Sequence, residues 1–196
     1  MQHEVEAPVL RVVMTIILAV TLAGCASSVP RLPESVLVAP GVELELPPPS
    51  ALERRVEAVQ LVTARYEGTT SVFEGRLSVA PDRLFLVCTD VLGRRAMTVA
   101  WDGVRLEVER APWLPEALPP ENVLADIVLL FWPEESIRRG LRGADILATD
   151  TSRSVRQGMT EIISITRDAD PWAGAATLTN HARWYEIRVQ SQAAPR

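Results

Sequence analysis

Between Val72 and Glu109 the chain writes four strand-like runs in succession, each separated from the next by a few turn-forming residues. Val72–Val79 places Phe73, Gly75, Leu77 and Val79 on one face and Glu74, Arg76 and Ser78 on the other. Pro81-Asp82 marks a turn. Arg83–Thr89 is apolar on both faces and reads as a strand covered on both sides. After the short connection Val91-Leu92-Gly93, Ala96–Trp101 is the third run. Asp102-Gly103 reads as a two-residue type I′ hairpin, whose central positions both need positive φ. Val104–Glu109 then alternates again. Strands joined this tightly pair antiparallel with their neighbours, because a parallel crossover needs a dozen residues or more. This stretch is therefore a meander.

Pro112, Pro115, Pro119 and Pro120 end it. A helix follows: Pro120 suits the first turn, Glu121 suits the positive end of the dipole, and Leu124, Ile127, Val128 and Phe131 recur at helical spacing. Trp132-Pro133 stops it. Glu134-Glu135 opens a second helix through Leu141, with arginines last, and Gly143 closes it. Strands return at Ile146–Thr149, Thr160–Thr166, Ala175–Thr179 and Trp184–Val189. Upstream, Leu52–Leu61 fits a helix or a strand, and the β-branched content of Val59–Tyr66 favours a strand. The order predicts a mainly β, α+β fold: a curved antiparallel sheet or incomplete β-barrel whose concave face is covered by short helices.

The N-terminus reads differently. The apolar run Val12–Val20 leads into Leu22-Ala23-Gly24-Cys25, the pattern of a bacterial lipoprotein signal peptide. Residues 1–24 are then a signal peptide and Cys25 is the lipidated first residue of the mature chain. Several acyl chains on one residue anchor stably where a single chain binds marginally. Ala26, rather than Asp, at the second mature position points to the periplasmic face of the outer membrane. Residues 25–50 read as a Pro-rich tether, of which Val36-Leu37-Val38 can dock as an edge segment, and residues 51–196 as one half-barrel domain.

Composition narrows the chemistry. The formal charge of −5 becomes −4 once Glu4, Glu6 and Arg11 leave with the signal, which argues against nucleic acid as a partner. Every basic side chain is arginine, so Schiff-base and lysine general-base chemistry are excluded. His181 is isolated and reads as a surface turn residue; Cys88 reads as a small buried hydrophobe. No nucleophile elbow, phosphate loop or paired metal spacing occurs in the sequence. The expectation is a non-enzyme with no cofactor and no metal. The apolar set Phe73, Leu84, Leu86, Trp101, Leu124, Ile127, Val128, Phe131 and Trp132 fits a packed core or the lining of a lipid-sized hollow.

Several of these segments resemble the LolA/LolB class of lipoprotein carriers and receptors. The likeness runs through Phe73-Glu74-Gly75-Arg76-Leu77-Ser78-Val79, Pro81–Leu86, the Val91-Leu92-Gly93 loop and the helix ending in Trp132-Pro133. It implies that Leu92, by position, is a membrane-inserting leucine; Val91 stands where those proteins carry proline. The stretch Leu118–Pro133 and the Asn180…Trp184-Tyr185-Glu186-Ile187 hairpin resemble an uncharacterised family of LolB-like lipoproteins found with aryl polyene biosynthesis genes. This resemblance implies a half-barrel that binds or delivers a lipidic cargo, either a lipoprotein acyl chain or an aryl-polyene-like lipid. The alternative is a tethered scaffold that binds other envelope proteins and has no lipid cavity.

Overall fold

The alternation of the meander becomes strand pairing in the computed structural model, which describes residues 35–114 and 119–194. Thirteen strands form among them: β1 (Val36–Ala39), β2 (Val42–Leu44), β3 (Val56–Tyr66), β4 (Thr69–Ala80), β5 (Arg83–Asp90), β6 (Arg95–Trp101), β7 (Leu106–Arg110), β8 (Leu141–Arg142), β9 (Asp145–Ala148), β10 (Ser152–Gln157), β11 (Thr160–Arg167), β12 (Ala175–Asn180) and β13 (Tyr185–Ala193). Two α-helices, α1 (Pro120–Phe131) and α2 (Glu134–Gly140), separate the two strand groups. Ten strands make one antiparallel sheet in the order β7-β6-β5-β4-β3-β13-β12-β11-β10-β9. The order is linear, with β7 and β9 as edges, so the sheet is not closed into a barrel. The chain's last strand, β13, pairs with β3, which joins the two meanders.

Each long strand buries alternate residues. In β4, Gly75, Leu77 and Val79 are buried while Glu74 and Arg76 face solvent. α1 is apolar nearly all round, and every residue from Leu124 to Phe131 is buried, as expected of a helix enclosed by other elements. It packs against β1 and β12 and roofs the inner face of the sheet. Pro133 forces Trp132 into an extended backbone (ψ 156°), which ends the helix.

Four sequence expectations need correction. Arg83–Thr89 is not covered on both sides: Phe85 is exposed, under the Arg83 guanidinium at 5.3 Å from its ring centre, while Leu84 and Leu86 point inward. The β6–β7 turn is not type I′. Positive φ is confined to Gly103 (96°), and the Asp102 carboxylate holds the turn by accepting from Val104 N (2.8 Å) and Arg105 N (2.7 Å). Besides β2 and β8, where Leu141 pairs as strand instead of ending the second helix, β10 had no sequence counterpart: Ser152-Arg153-Ser154-Val155-Arg156-Gln157 is polar, yet Arg153 and Val155 are its buried positions. The tether reading, finally, stops short of what is described. From Ser35 on the segment belongs to the fold, with Val36, Val38, Val42 and Leu44 buried and β1-β2-β8 forming a second sheet.

That small sheet rests on glycine. Gly143 has φ 81°, and a Cβ there would lie 2.2 Å from the Gly41 carbonyl oxygen. Gly143→Ala is therefore expected to cost about 1–3 kcal/mol from left-handed strain, with the clash adding to it, in urea unfolding. Gly158→Ala serves as the control. It has φ 60° with open space around the Cβ position, so it should carry the strain without the clash.

Candidate functional site

The inward faces of β3, β4, β5, β6 and β13 do not meet α1 everywhere. They leave a hollow of about 90 Å³ lined by Val62, Ala64, Phe73, Leu86, Cys88, Met97, Ile127, Leu130, Phe131, Ile187 and their neighbours. Among the described residues, Gln60 and Asp126 are its lining side chains with nitrogen or oxygen. Gln60 is accounted for by a 3.1 Å bond from its Nε2 to Ser191 Oγ. Phe131 stacks on Trp172 with ring centres 4.3 Å apart.

A second, wider space of about 400 Å³ adjoins the first and shares Ala64, Val123, Asp126 and Ile187 with it. Its other walls are Arg65, Tyr66, Pro119, Asn122, Arg183, Tyr185 and Glu186. The pair thus has an apolar floor and a mouth walled by both apolar and ionic side chains, joined at a neck where Asp126 stands.

Asp126 is the unusual residue of the site. It interrupts the apolar run of α1 and is buried. Its Oδ1 accepts a 2.7 Å bond from the Tyr185 hydroxyl. Asn180, fully buried, donates from Nδ2 to Tyr185 Oη (3.3 Å) and to the Val38 carbonyl (3.0 Å), and accepts from Arg183 N (2.9 Å). One hydrogen-bonded chain therefore ties α1, the β12–β13 hairpin and β1 together beside the neck. Burial pushes the Asp126 pKa up to about 7, against the opposing pull of the Tyr185 bond and the Arg183 charge. The Tyr185 hydroxyl is pushed up by burial and by the carboxylate beside it.

Of the nine side chains expected to bind lipid, Phe73, Leu86, Ile127 and Phe131 line the hollow. Leu84, Trp101, Leu124, Val128 and Trp132 are buried but do not line it. The helical periodicity that marked α1 as amphipathic does not separate its faces, because the helix is surrounded. Asp126 had a sequence signal, a lone carboxylate inside Leu124–Phe131. Ala64, Met97 and Ile187 had none, being ordinary strand residues. Leu92 and Val91 are exposed at the tip of the β5–β6 turn, where Asp90 Oδ1 accepts from Leu92 N and Arg94 N, both at 2.9 Å. Cys25 lies outside the described residues.

The remaining reactive groups are unremarkable in geometry. Burial raises the Cys88 pKa to about 11, so the thiol stays neutral at pH 7 and is a poor nucleophile. His181 Nε2 lies 2.9 Å from Ser164 Oγ, an arrangement that invites comparison with a hydrolase. Glu161, however, approaches that same nitrogen at 3.9 Å instead of orienting the ring from Nδ1. Among the described residues no group of three His, Cys, Asp or Glu is placed to hold a metal ion.

No curated protein matches the chain significantly. Residues 57–193, from the second residue of β3 to the last residue of β13, match the family described as "Protein of unknown function (DUF3261)". That span contains the whole ten-stranded sheet apart from the first residue of β3, both helices and every residue of the hollow, and the chain belongs to this family.

Proposed function

We propose that this protein is a membrane-anchored carrier that takes one apolar chain of a lipidic cargo into the hollow beneath α1. The observation that carries the reading is the junction, at Asp126, of an apolar floor with a wider mouth that carries the ionic side chains Arg65, Arg183 and Glu186. An amphiphile matches that polarity. Its chain removes water from Phe73, Leu86 and Met97 while its head stays among Arg65, Asn122 and Arg183. Each buried methylene contributes about 0.8 kcal/mol. The floor alone, at about 90 Å³, is smaller than the roughly 150 Å³ cavity that accepts a benzene, so it takes the end of a chain and the outer space takes the rest.

No helix among the described residues is long and apolar enough to cross a membrane. In this proposal the anchor is acyl chains on Cys25, and the site of action is the periplasmic face of the outer membrane. Leu92 assists release into the bilayer. The sequence resemblance to LolA/LolB carriers and to lipoproteins of aryl polyene clusters supports the same cargo classes, a lipoprotein acyl chain or a polyene lipid.

A photoreactive, diazirine-bearing fatty acid fed to cells making the full chain tests this. Adducts are expected on peptides containing Phe73, Cys88 and Ile127. Ala64→Phe places a ring in the neck and is expected to cut adduct yield about ten-fold, the loss of roughly 1.4 kcal/mol of chain binding. Its melting temperature should be unchanged or raised, since the ring fills a void. The small volume of the floor favours the scaffold alternative, in which the chain binds envelope proteins and takes up no lipid. Adducts scattered over the surface, equal in wild type and Ala64→Phe, would select it.

A further inference from the structure

Antiparallel pairing sends alternate turns to opposite ends of the large sheet, and the two ends differ in chemistry. At one end lie the β3–β4, β5–β6, β10–β11 and β12–β13 turns and the segment after β7, where Ala111 N bonds Ala96 O. The most exposed large apolar side chains of the described residues are all on these tips: Met159 (92% exposed), Trp184 (83%), Val91 (77%) and Leu92 (75%). Trp113 is at the same end, under the Arg94 guanidinium. At the other end each turn carries aspartate: Asp82, Asp102, Asp150, and Asp168 with Asp170. Val104 is the apolar exception there. The mouth of the hollow, between Tyr66 and Arg183, opens at the apolar end.

We infer that this apolar end of the sheet seats on a phospholipid bilayer, with Met159 and Trp184 in the headgroup–acyl boundary and the mouth of the hollow turned toward the lipid. Strands lie about 4.8 Å apart, so successive tips stand about 10 Å from one another. The β3–β4 tip between Trp184 and Leu92 is Glu67-Gly68, so the apolar points stand one or two tips apart and offer a folded partner no continuous groove, whereas a fluid interface accommodates each one independently. Trp and Met are suited to it, one amphipathic and one adaptable. Of the arginines between the tips, Arg65 pairs with Glu186 (3.3 Å) and Arg94 with Asp90 (2.7 Å), whereas Arg156 and Arg183 donate to the Met159 and Leu37 carbonyls, so the seat is an apolar one with two guanidinium charges beside it. The mouth's orientation gains its purpose from the carrier reading; the seat itself is independent of it.

The test uses the full chain in phosphatidylcholine–phosphatidylglycerol vesicles. An environment-sensitive fluorescent amino acid replaces Met159 or Trp184, or Asp82 or Asp150 at the opposite end, and quenching by a nitroxide lipid is read. Insertion by about 5–10 Å predicts about five-fold more quenching at Met159 and Trp184 than at the two aspartates. A second series carries the probe at Leu92 and adds Met159→Glu with Trp184→Glu, both on exposed turns. Quenching at Leu92 should fall to the level of the aspartate end while circular dichroism stays unchanged. Equal quenching at both ends, or none at the tips, overturns the inference. So does blue-shifted tip emission without vesicles together with a doubled mass, which assigns this end to a second copy of the chain. Acyl adducts in the hollow without tip quenching would leave the carrier reading standing and remove the seat alone.

Discussion

Arg153→Met is expected to destabilise the protein by about 2–6 kcal/mol, from two buried carbonyls left without donors at about 1–3 kcal/mol each. A helix ends with carbonyls that have no partner within it, and its C-terminus carries partial negative charge. The last turn of α1 has no basic residue of its own. The cations come instead from the sheet. Arg153 on β10 is buried and donates to Leu129 O (2.6 Å) and Trp132 O (2.5 Å), and Arg167 on β11 donates to Leu130 O (3.2 Å). Burial, with Arg167 nearby, lowers the Arg153 pKa to about 9, so the guanidinium is charged at neutral pH. Methionine keeps the volume and removes every donor. Arg153→Lys should recover only part of the loss, because one ammonium lacks the planar fork that spans two carbonyls. Urea unfolding reads the effect, and a loss under about 1 kcal/mol would refute the capping role. Because α1 roofs the hollow, the same variant should also loosen the site.

The second large effect is a change in how stability depends on pH. The Asp126 pKa stands near 7 in the folded protein, against an ordinary value of 3.8. Between those values the folded chain holds a proton that the unfolded chain has released. Stability contributed by this group is therefore fully present at pH below about 4 and is lost as pH rises toward 7. At pH 8 the carboxylate is charged in both states, and the Tyr185 bond and the Arg183 charge offset only part of its burial. Asp126→Asn keeps an oxygen for the Tyr185 hydroxyl and cannot ionise. It should be close to wild type at pH 4 and more stable at pH 8 by a few kcal/mol, on the order of 1.4 kcal/mol per pKa unit. Parallel urea titrations at the two pH values measure this. Equal differences at both would show that Asp126 titrates normally.

These two side chains also mark how far the residues alone could be read. The meander from Val72 to Glu109, its short connection at Val91-Leu92-Gly93, and the helix opened by Pro120 and stopped by Pro133 are written in local alternation and turn chemistry. Such signals depend on neighbours within a few positions, so they survive without the rest of the molecule. β10 was illegible for the opposite reason. Its inward Arg153 looks like a solvent residue until the end of α1 arrives to accept its hydrogen bonds.

The hollow follows the same division. The apolar inventory was legible, and so was the helix-covered sheet. Which of those side chains face empty space was decided by β13 closing onto β3 and by α1 lying over that seam. Leu84 and Phe73 are equally apolar in sequence, yet one is packed and one lines the hollow. Strand and helix type were legible where the pattern is local, from Val72 to Glu109 and from Pro120 to Pro133. The floor, the neck at Asp126 and the gathering of apolar tips at one end arise from contacts between distant segments, and only the tertiary structure decides those.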